Sequence, residues 1–401
     1  MKNQKRNQKS TFRKILEWLH LWLGLTSGIV VFIVCLMAAL WVFRDEMDYF
    51  ANPEERITKE EKDFVKPSKI LANAKDYLSN SRYGSPIEIS SISYRSKTQT
   101  GYIGFRTQDS TYLTAYFNPY NGKVLFVKNN EEARLSKFLL FVRAGHRWIW
   151  LPRKIGSPVV GTSCILFLIT IITGLIWWYP KKWNQSTRDK SFKIKFKAKW
   201  KRLNIDLHNV LGFYAFAFSF ILITTGIAYS FKWFNNFSKW TLTGKTKEEK
   251  YESKYVLPLN HFNNRDTVDV FYNEANKLTQ RNNELIYLRL PTKENDSYAA
   301  NFLSKSGKNH SQLYYVWEGV NHSIVAKNKP FQDKKWGERM YNYNFELHVG
   351  TIFGLPSKIL ACLTSLIGAS LPVTGFIIWL NRKRKKNKKI VNKESTKIAC
   401  I

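Results

Sequence analysis

Four long apolar runs constrain this chain more than any other feature: roughly Ile15–Phe43, Gly156–Tyr179, Ile205–Phe231 and Ser357–Leu380. A helix needs about 20 apolar residues to cross about 30 Å of hydrocarbon, and each run supplies them. The expected fold is a mainly α membrane protein built on a four-helix transmembrane bundle. Two long polar segments lie between runs and account for a mean hydropathy of only −0.33.

Where the charge sits sets the expected topology. The formal net charge is +33, which by itself would suggest nucleic acid. The basic residues hug the ends of the apolar runs instead. Lys2, Lys5, Arg6, Lys9, Arg13 and Lys14 precede the first run, Lys181 to Arg202 contain ten basic residues against Asp189 alone, and Arg382 to Lys389 contain no acid. Short basic loops and tails mark the cytoplasmic side, and anionic headgroups explain such clusters. Both termini and the middle loop are expected inside, the polar segments outside, and no nucleic-acid partner. The apolar stretch of the first run is too long for a cleaved signal, so it reads as a retained span.

Cys35, Cys164 and Cys362 fall within spans and Cys400 in the last basic tail, leaving none in the polar segments. This excludes a disulfide framework there, and there is no C-x-x-C-H for covalent haem attachment. Nor is there a nucleotide loop, zinc motif or nucleophile elbow to support a hydrolase or an ATP-driven pump.

Both polar segments read as small α+β lobes. In the first, Ser68–Asn80 has the period of an amphipathic helix, followed by strands at Ile87–Tyr94, Gly101–Arg106, Thr111–Phe117 and Lys123–Val127. In the second, helix Thr267–Leu278 precedes strands Glu284–Leu290, Ser297–Leu303, Gln312–Val316 and His322–Lys327. The expected domains are a basic tail (1–14), first span (15–43), first lobe (44–134), interfacial helix (135–155), second span (156–179), basic loop (180–204), third span (205–231), second lobe (232–340), a segment carrying the fourth span (341–380) and a basic tail (381–401).

This order is span–lobe–span written twice. His20-Leu21-Trp22-Leu23-Gly24 opens the first run and His208-Asn209-Val210-Leu211-Gly212 the third, and each histidine lies 24 positions before the next strong charge, Arg44 or Lys232. His146 and His348 precede the second and fourth runs, with Thr173-Gly174 and Thr374-Gly375 following 27 and 26 positions later. His20 and His208 are thus expected at one depth near the inner face. His146 and His348 are too far from their basic stops to share one straight helix with them, which puts them near the outer face.

Imidazole is the usual neutral nitrogen ligand of haem iron, and haem can sit between the helices of a bundle. Ionisable residues within spans are functional by default. The expectation is two haem b groups, His20 with His208 on one and His146 with His348 on the other, all four as axial ligands of iron. Gly24, Gly28 and Gly212 would let a flat macrocycle or a neighbouring helix come close. Arg143 and Arg147 suit haem propionates or lipid phosphates, and His261, His310 and His322 read as solvated lobe residues.

In order along the chain, His20 with Trp22-Leu23-Gly24, His146-Arg147-Trp148, Thr173-Gly174-Leu175-Ile176-Trp177-Trp178, Asp206-Leu207-His208, Leu211-Gly212, Leu347-His348-Val349-Gly350, Gly354-Leu355-Pro356 and Thr374-Gly375 resemble the PepSY-associated transmembrane family of iron-regulated membrane proteins. Asn118-Pro119 with Gly122-Lys123-Val124 resembles the end of a PepSY-type domain. The resemblance implies a bacterial inner-membrane, two-haem-b reductase with PepSY-like periplasmic lobes. It would pass electrons to a ferric siderophore or other Fe(III) chelate, from a cytoplasmic or quinol donor. The rivals are a non-catalytic PepSY sensor or regulator and a transporter for the iron complex.

Overall fold

The structure is a computed structural model describing residues 10–81, 83, 87–180, 182–245, 250–293, 296–304 and 308–398. Lys2, Lys5, Arg6, Lys9, Lys181 and Cys400, noted above, lie outside the described residues. The chain divides into a helical unit (Met1–Phe43, Leu139–Phe237, Leu347–Ile401) and a sheet unit (Arg44–Phe138, Ser238–Glu346).

Among the described residues the helical unit holds four helices long and apolar enough to span a membrane: Thr11–Trp41, Arg153–Trp178, Trp200–Ser230 and Leu355–Lys385. These are spans 1 to 4. Span 1 starts where the Ser10 side chain accepts from the Arg13 amide at 3.4 Å, satisfying an otherwise orphaned helix N–H. Span 3 is not a uniform α-helix, because Leu207–Leu211 forms a π-helical turn that contains His208. Such turns cluster at functional sites. Apolar side chains including Ile29, Ile176, Phe218 and Leu363 point outward, as lipid-facing residues do. Close packing between spans uses small residues, for a Cβ on Gly28 would lie 3.3 Å from Pro372.

Two further helices, Arg134–Trp148 and Asn344–Val349, carry His146 and His348. After the first the chain reverses through Ile149 and Trp150, both left-handed at φ 45° and 59°. The Trp150 ring stacks on Phe141 at 4.8 Å and its Nε1–H donates to the Phe141 carbonyl. Gly145 is required beneath it, since a Cβ there would lie 2.5 Å from Trp150 and 2.8 Å from Met37. The second reversal uses Gly350 and Gly354 at φ 74° and 71°, which glycine adopts without strain.

The sheet unit departs from the expected pair of separate lobes. Its strands are β1 (Glu88–Tyr94), β2 (Gly101–Arg106), β3 (Tyr112–Phe117), β4 (Val124–Lys128), β5 (Ser253–Val256), β6 (Leu285–Arg289), β7 (Ala299–Leu303), β8 (Leu313–Glu318) and β9 (Ser323–Ala326). They form one nine-stranded antiparallel sheet in the order β4-β3-β2-β1-β6-β7-β8-β9-β5. The two halves join where β1 pairs with β6, Ile92 opposite Leu288 and Tyr94 opposite Ile286. The physical reason is edge protection: each half would otherwise expose a row of unpaired backbone groups.

Helices Pro67–Ser79 and Thr267–Leu278 cover one face, and Ile70, Phe105, Phe117, Phe271, Leu288, Phe302 and Ile324 are buried in one shared core. Each such side chain contributes about 2 kcal/mol on burial. Asp269 ties the helices together, accepting from the Ser68 amide at 2.8 Å and the Ser68 hydroxyl at 2.6 Å.

Candidate functional site

The four histidines named from the sequence meet as two pairs. His20 and His208 have ring centres 6.2 Å apart with planes crossing at 88°, and His146 and His348 have centres 6.0 Å apart at 41°. The pairs sit at different levels. His146 bonds the carbonyl of Val34, fourteen residues beyond His20, and His348 bonds that of Leu222, fourteen beyond His208. At 1.5 Å per residue this is about 21 Å along the helices.

Each imidazole is oriented through its Nδ1. His20 Nδ1 lies 3.0 Å from the Thr170 carbonyl and 3.3 Å from Thr173 Oγ1, and His208 Nδ1 2.9 Å from Thr374 Oγ1. His146 Nδ1 is 3.0 Å from the Val34 carbonyl, and His348 Nδ1 is 3.1 Å from both the Leu222 carbonyl and Thr225 Oγ1. A carbonyl only accepts, so Nδ1 carries the proton. The threonine hydroxyls are acceptors too, because Thr173, Thr225 and Thr374 give their own hydrogens to the carbonyls of Ile169, Ile221 and Ser370. Nε2 is left as a lone-pair donor on each ring, and this back-bonding is how metal-binding histidines are fixed in tautomer and direction.

These threonines were not identified from the sequence as partners. The available signal was Thr-Gly, present as Thr173-Gly174, Thr225-Gly226 and Thr374-Gly375. The glycine half has its own reason. A Cβ would lie 2.9 Å from His20 Cε1 at Gly174, 3.0 Å from His348 Cε1 at Gly226 and 3.3 Å from His208 Cε1 at Gly375. Threonine supplies the acceptor and glycine makes room for the ring.

His146 and His348 lie on segments outside the four long helices. Burial lowers the pKa of both, and His348, with His146 beside it as the second cause, is pushed down to about 4. Neutral imidazole is the form that ligates a metal.

A cavity of about 700 Å³ opens around His20 and His208, within the range of cofactor sites. Gly24, Gly28 and Gly212 line it together with Trp177, Trp178 and Phe213. Trp178 stacks on Phe213 at 3.9 Å, and Trp177 meets His20 edge-on at 5.8 Å. These donors fit a bis-imidazole metal macrocycle. A metal–nitrogen bond of about 2 Å, plus roughly 1 Å from nitrogen to ring centre on each side, sets two axial rings about 6 Å apart. Both pairs have that separation. Among the described residues no group of three or more His, Cys, Asp or Glu could hold a bare metal ion.

Of the other residues named from the sequence, Arg147 directly follows His146, and its charge is among the causes that lower the His146 pKa. Arg147 lies 5.7 Å over the Trp148 ring, and among the described residues neither Arg143 nor Arg147 forms an ion pair. His261 is 3.9 Å from Glu274, and His322 sits against Phe262 at 5.2 Å. His310 corrects the expectation of a solvated residue. Its side chain is only 14% exposed, its Nδ1 is 3.1 Å from the fully buried Glu346, and Phe331 and Tyr343 pack on it at 4.7 and 4.5 Å. The physical reason is that a buried carboxylate requires hydrogen-bond donors, and His310 supplies its backbone N–H as well. A polar cavity of about 260 Å³ in the sheet unit is lined by paired charges, Arg95 with Glu55 at 2.8 Å and Lys128 with Glu55 at 3.7 Å.

Fold and site together define a multi-pass membrane protein with two part-buried imidazole pairs at different levels of one helical bundle. Residues 17–382 match the family described as the PepSY-associated TM region, and the chain belongs to that family. No curated protein matches the chain.

Proposed function

We propose that this protein is a transmembrane electron carrier with two b-type haems, one between His20 and His208 and one between His146 and His348. It would reduce a ferric siderophore or other Fe(III) chelate on the outer face of the bacterial inner membrane. The observation that carries this reading is the matched 6 Å spacing of two ring pairs, with every Nδ1 engaged and every Nε2 left to ligate. Haem held there by His20 with His208, and by His146 with His348, would supply one-electron chemistry. The role of the chain's own residues is to hold it. Four histidines ligate, Thr173, Thr225 and Thr374 with the Val34 and Leu222 carbonyls orient them, and the apolar helices exclude water. Placing the pairs about 21 Å apart along the bundle covers much of a hydrocarbon core of about 30 Å.

The Fe(III)-chelate acceptor, the inner membrane and inward-facing termini follow from the family's resemblance to siderophore reductases and from the basic loops. One electron converts Fe(III) to Fe(II), which chelators selective for Fe(III) hold less tightly. The test is to reduce the purified protein anaerobically with a limiting amount of dithionite and then add ferric siderophore. The proposal expects b-type bands that return to the oxidised form as an Fe(II) indicator develops colour. Bands that stay reduced count against an Fe(III)-chelate acceptor, and a colourless preparation from haem-replete cells favours a non-catalytic sensor.

A further inference from the structure

The cavity around His20 and His208 has a polar end and an apolar end. Lys14, Lys190 and Arg382 line it at one end, Val31 and Phe167 at the other. Lys14 precedes His20 by six residues and Val31 follows it by eleven, so the lining runs from about 9 Å on one side of the imidazole to about 16 Å on the other. Glu17 is an acid at the charged end, which leaves three cations against one carboxylate. Iron protoporphyrin is amphiphilic in the same sense, with two carboxylates on one edge and hydrocarbon on the rest.

Of the three cations, Arg382 is linked to the imidazoles through a tryptophan. Its guanidinium lies 5.4 Å over the Trp177 ring, and Trp177 is in turn edge-on to His20 at 5.8 Å. Among the described residues Arg382 has no acidic partner, so its planar fork of donors is free to receive a carboxylate. The π face beneath it fixes the guanidinium without using its N–H groups.

We propose that Arg382 anchors the carboxylate edge of the macrocycle ligated by His20 and His208, so that this edge faces the basic end of the bundle. This deepens the two-haem reading and rests on it. Arg382 is a positioning residue that sets which way round the group enters. The alternative source of anionic chemistry at the same place is a lipid phosphate.

The test uses full-length, haem-free protein in detergent carrying His146→Ala and His348→Ala, so that only the first pair remains. It is titrated with iron protoporphyrin IX and with its dimethyl ester, which keeps the ring and iron but has no carboxylate. The expected result is at least about tenfold tighter binding of the free acid, a gap that closes in Arg382→Leu and partly persists in Arg382→Lys. Should the leucine variant not fold, Arg382→Gln serves the same comparison. A gap unchanged on removing the guanidinium overturns the anchor and leaves Arg382 as a lipid-phosphate contact. Failure of both porphyrins to give a bis-imidazole spectrum, with the first pair intact, overturns the haem reading and the anchor together.

Discussion

The two histidine pairs are built from the same repeat but seated differently. In the first pair both rings belong to spans and rest on another span's Thr-Gly: His20 on Thr173-Gly174, His208 on Thr374-Gly375. In the second pair both rings come from short helices outside the spans, and only one has the full seat. His348 has Thr225, Gly226 and the Leu222 carbonyl, whereas His146 has the Val34 carbonyl alone. The position in span 1 that corresponds to Thr225, seventeen residues past the span's own histidine, is Met37. The backbone acceptor is therefore the element common to both halves of the second pair, and the threonine hydroxyl is an addition. The carbonyl requires only a helix in the right place, and the hydroxyl requires a particular residue.

That comparison can be broken at the ligands themselves. His208→Ala is expected to remove one haem and His348→Ala the other, each lowering the reduced b-band absorbance by about half. Equal loss of both haems from either change would mean that the pairs are not independent sites. A smaller effect is expected at the glycines. Gly174→Ala sets a methyl 2.9 Å from His20 and Gly375→Ala sets one 3.3 Å from His208. The first is expected to weaken haem binding at the first pair about tenfold and the second only a few-fold, as read by haem titration.

The threonines sharpen the comparison further. Thr374→Val removes the hydroxyl acceptor of His208 and is expected to cost that site roughly tenfold in haem affinity. Thr225→Val is expected to cost less, because the Leu222 carbonyl still accepts from His348. The reverse ranking would make the hydroxyl, not the carbonyl, the essential part of the seat.

The smallest effects are expected at the two chain reversals, measured by thermal unfolding in detergent. Gly350→Ala places a side chain at φ 74° and a Cβ 2.7 Å from Ala361, for a loss of about 1–2 kcal/mol. Ile149→Gly relaxes a left-handed isoleucine but frees the unfolded chain, and is expected to fall within about 1 kcal/mol of zero.

Much of this was legible in the residue order because its signals are local. Span length, the helix period of Ser68–Asn80 and the alternation around Ile103 and Phe105 each report on a stretch shorter than 30 residues. The histidines stand out because they recur at matched positions in both halves of the chain, and ionisable residues are rare within spans. What escaped was pairing across the chain. Nothing in the alternation of Glu88–Tyr94 names Leu285–Arg289 as its neighbour, since periodicity reports which face is buried and not which strand lies alongside. The same holds for Thr225, which reads as one more small residue in span 3 until His348 is seen beside it. Glu346 gave no hint that His310 would be drawn in to satisfy it, and the four-residue strand Ser253–Val256 was too short to stand out.

The central claim is that two imidazole pairs each hold a haem, and the most direct measurement is the haem-to-polypeptide ratio of protein purified from haem-replete cells, read with its reduced spectrum. The account predicts two b-type haems per chain with low-spin, bis-histidine spectra. A protein that is folded, monodisperse and free of haem would contradict it.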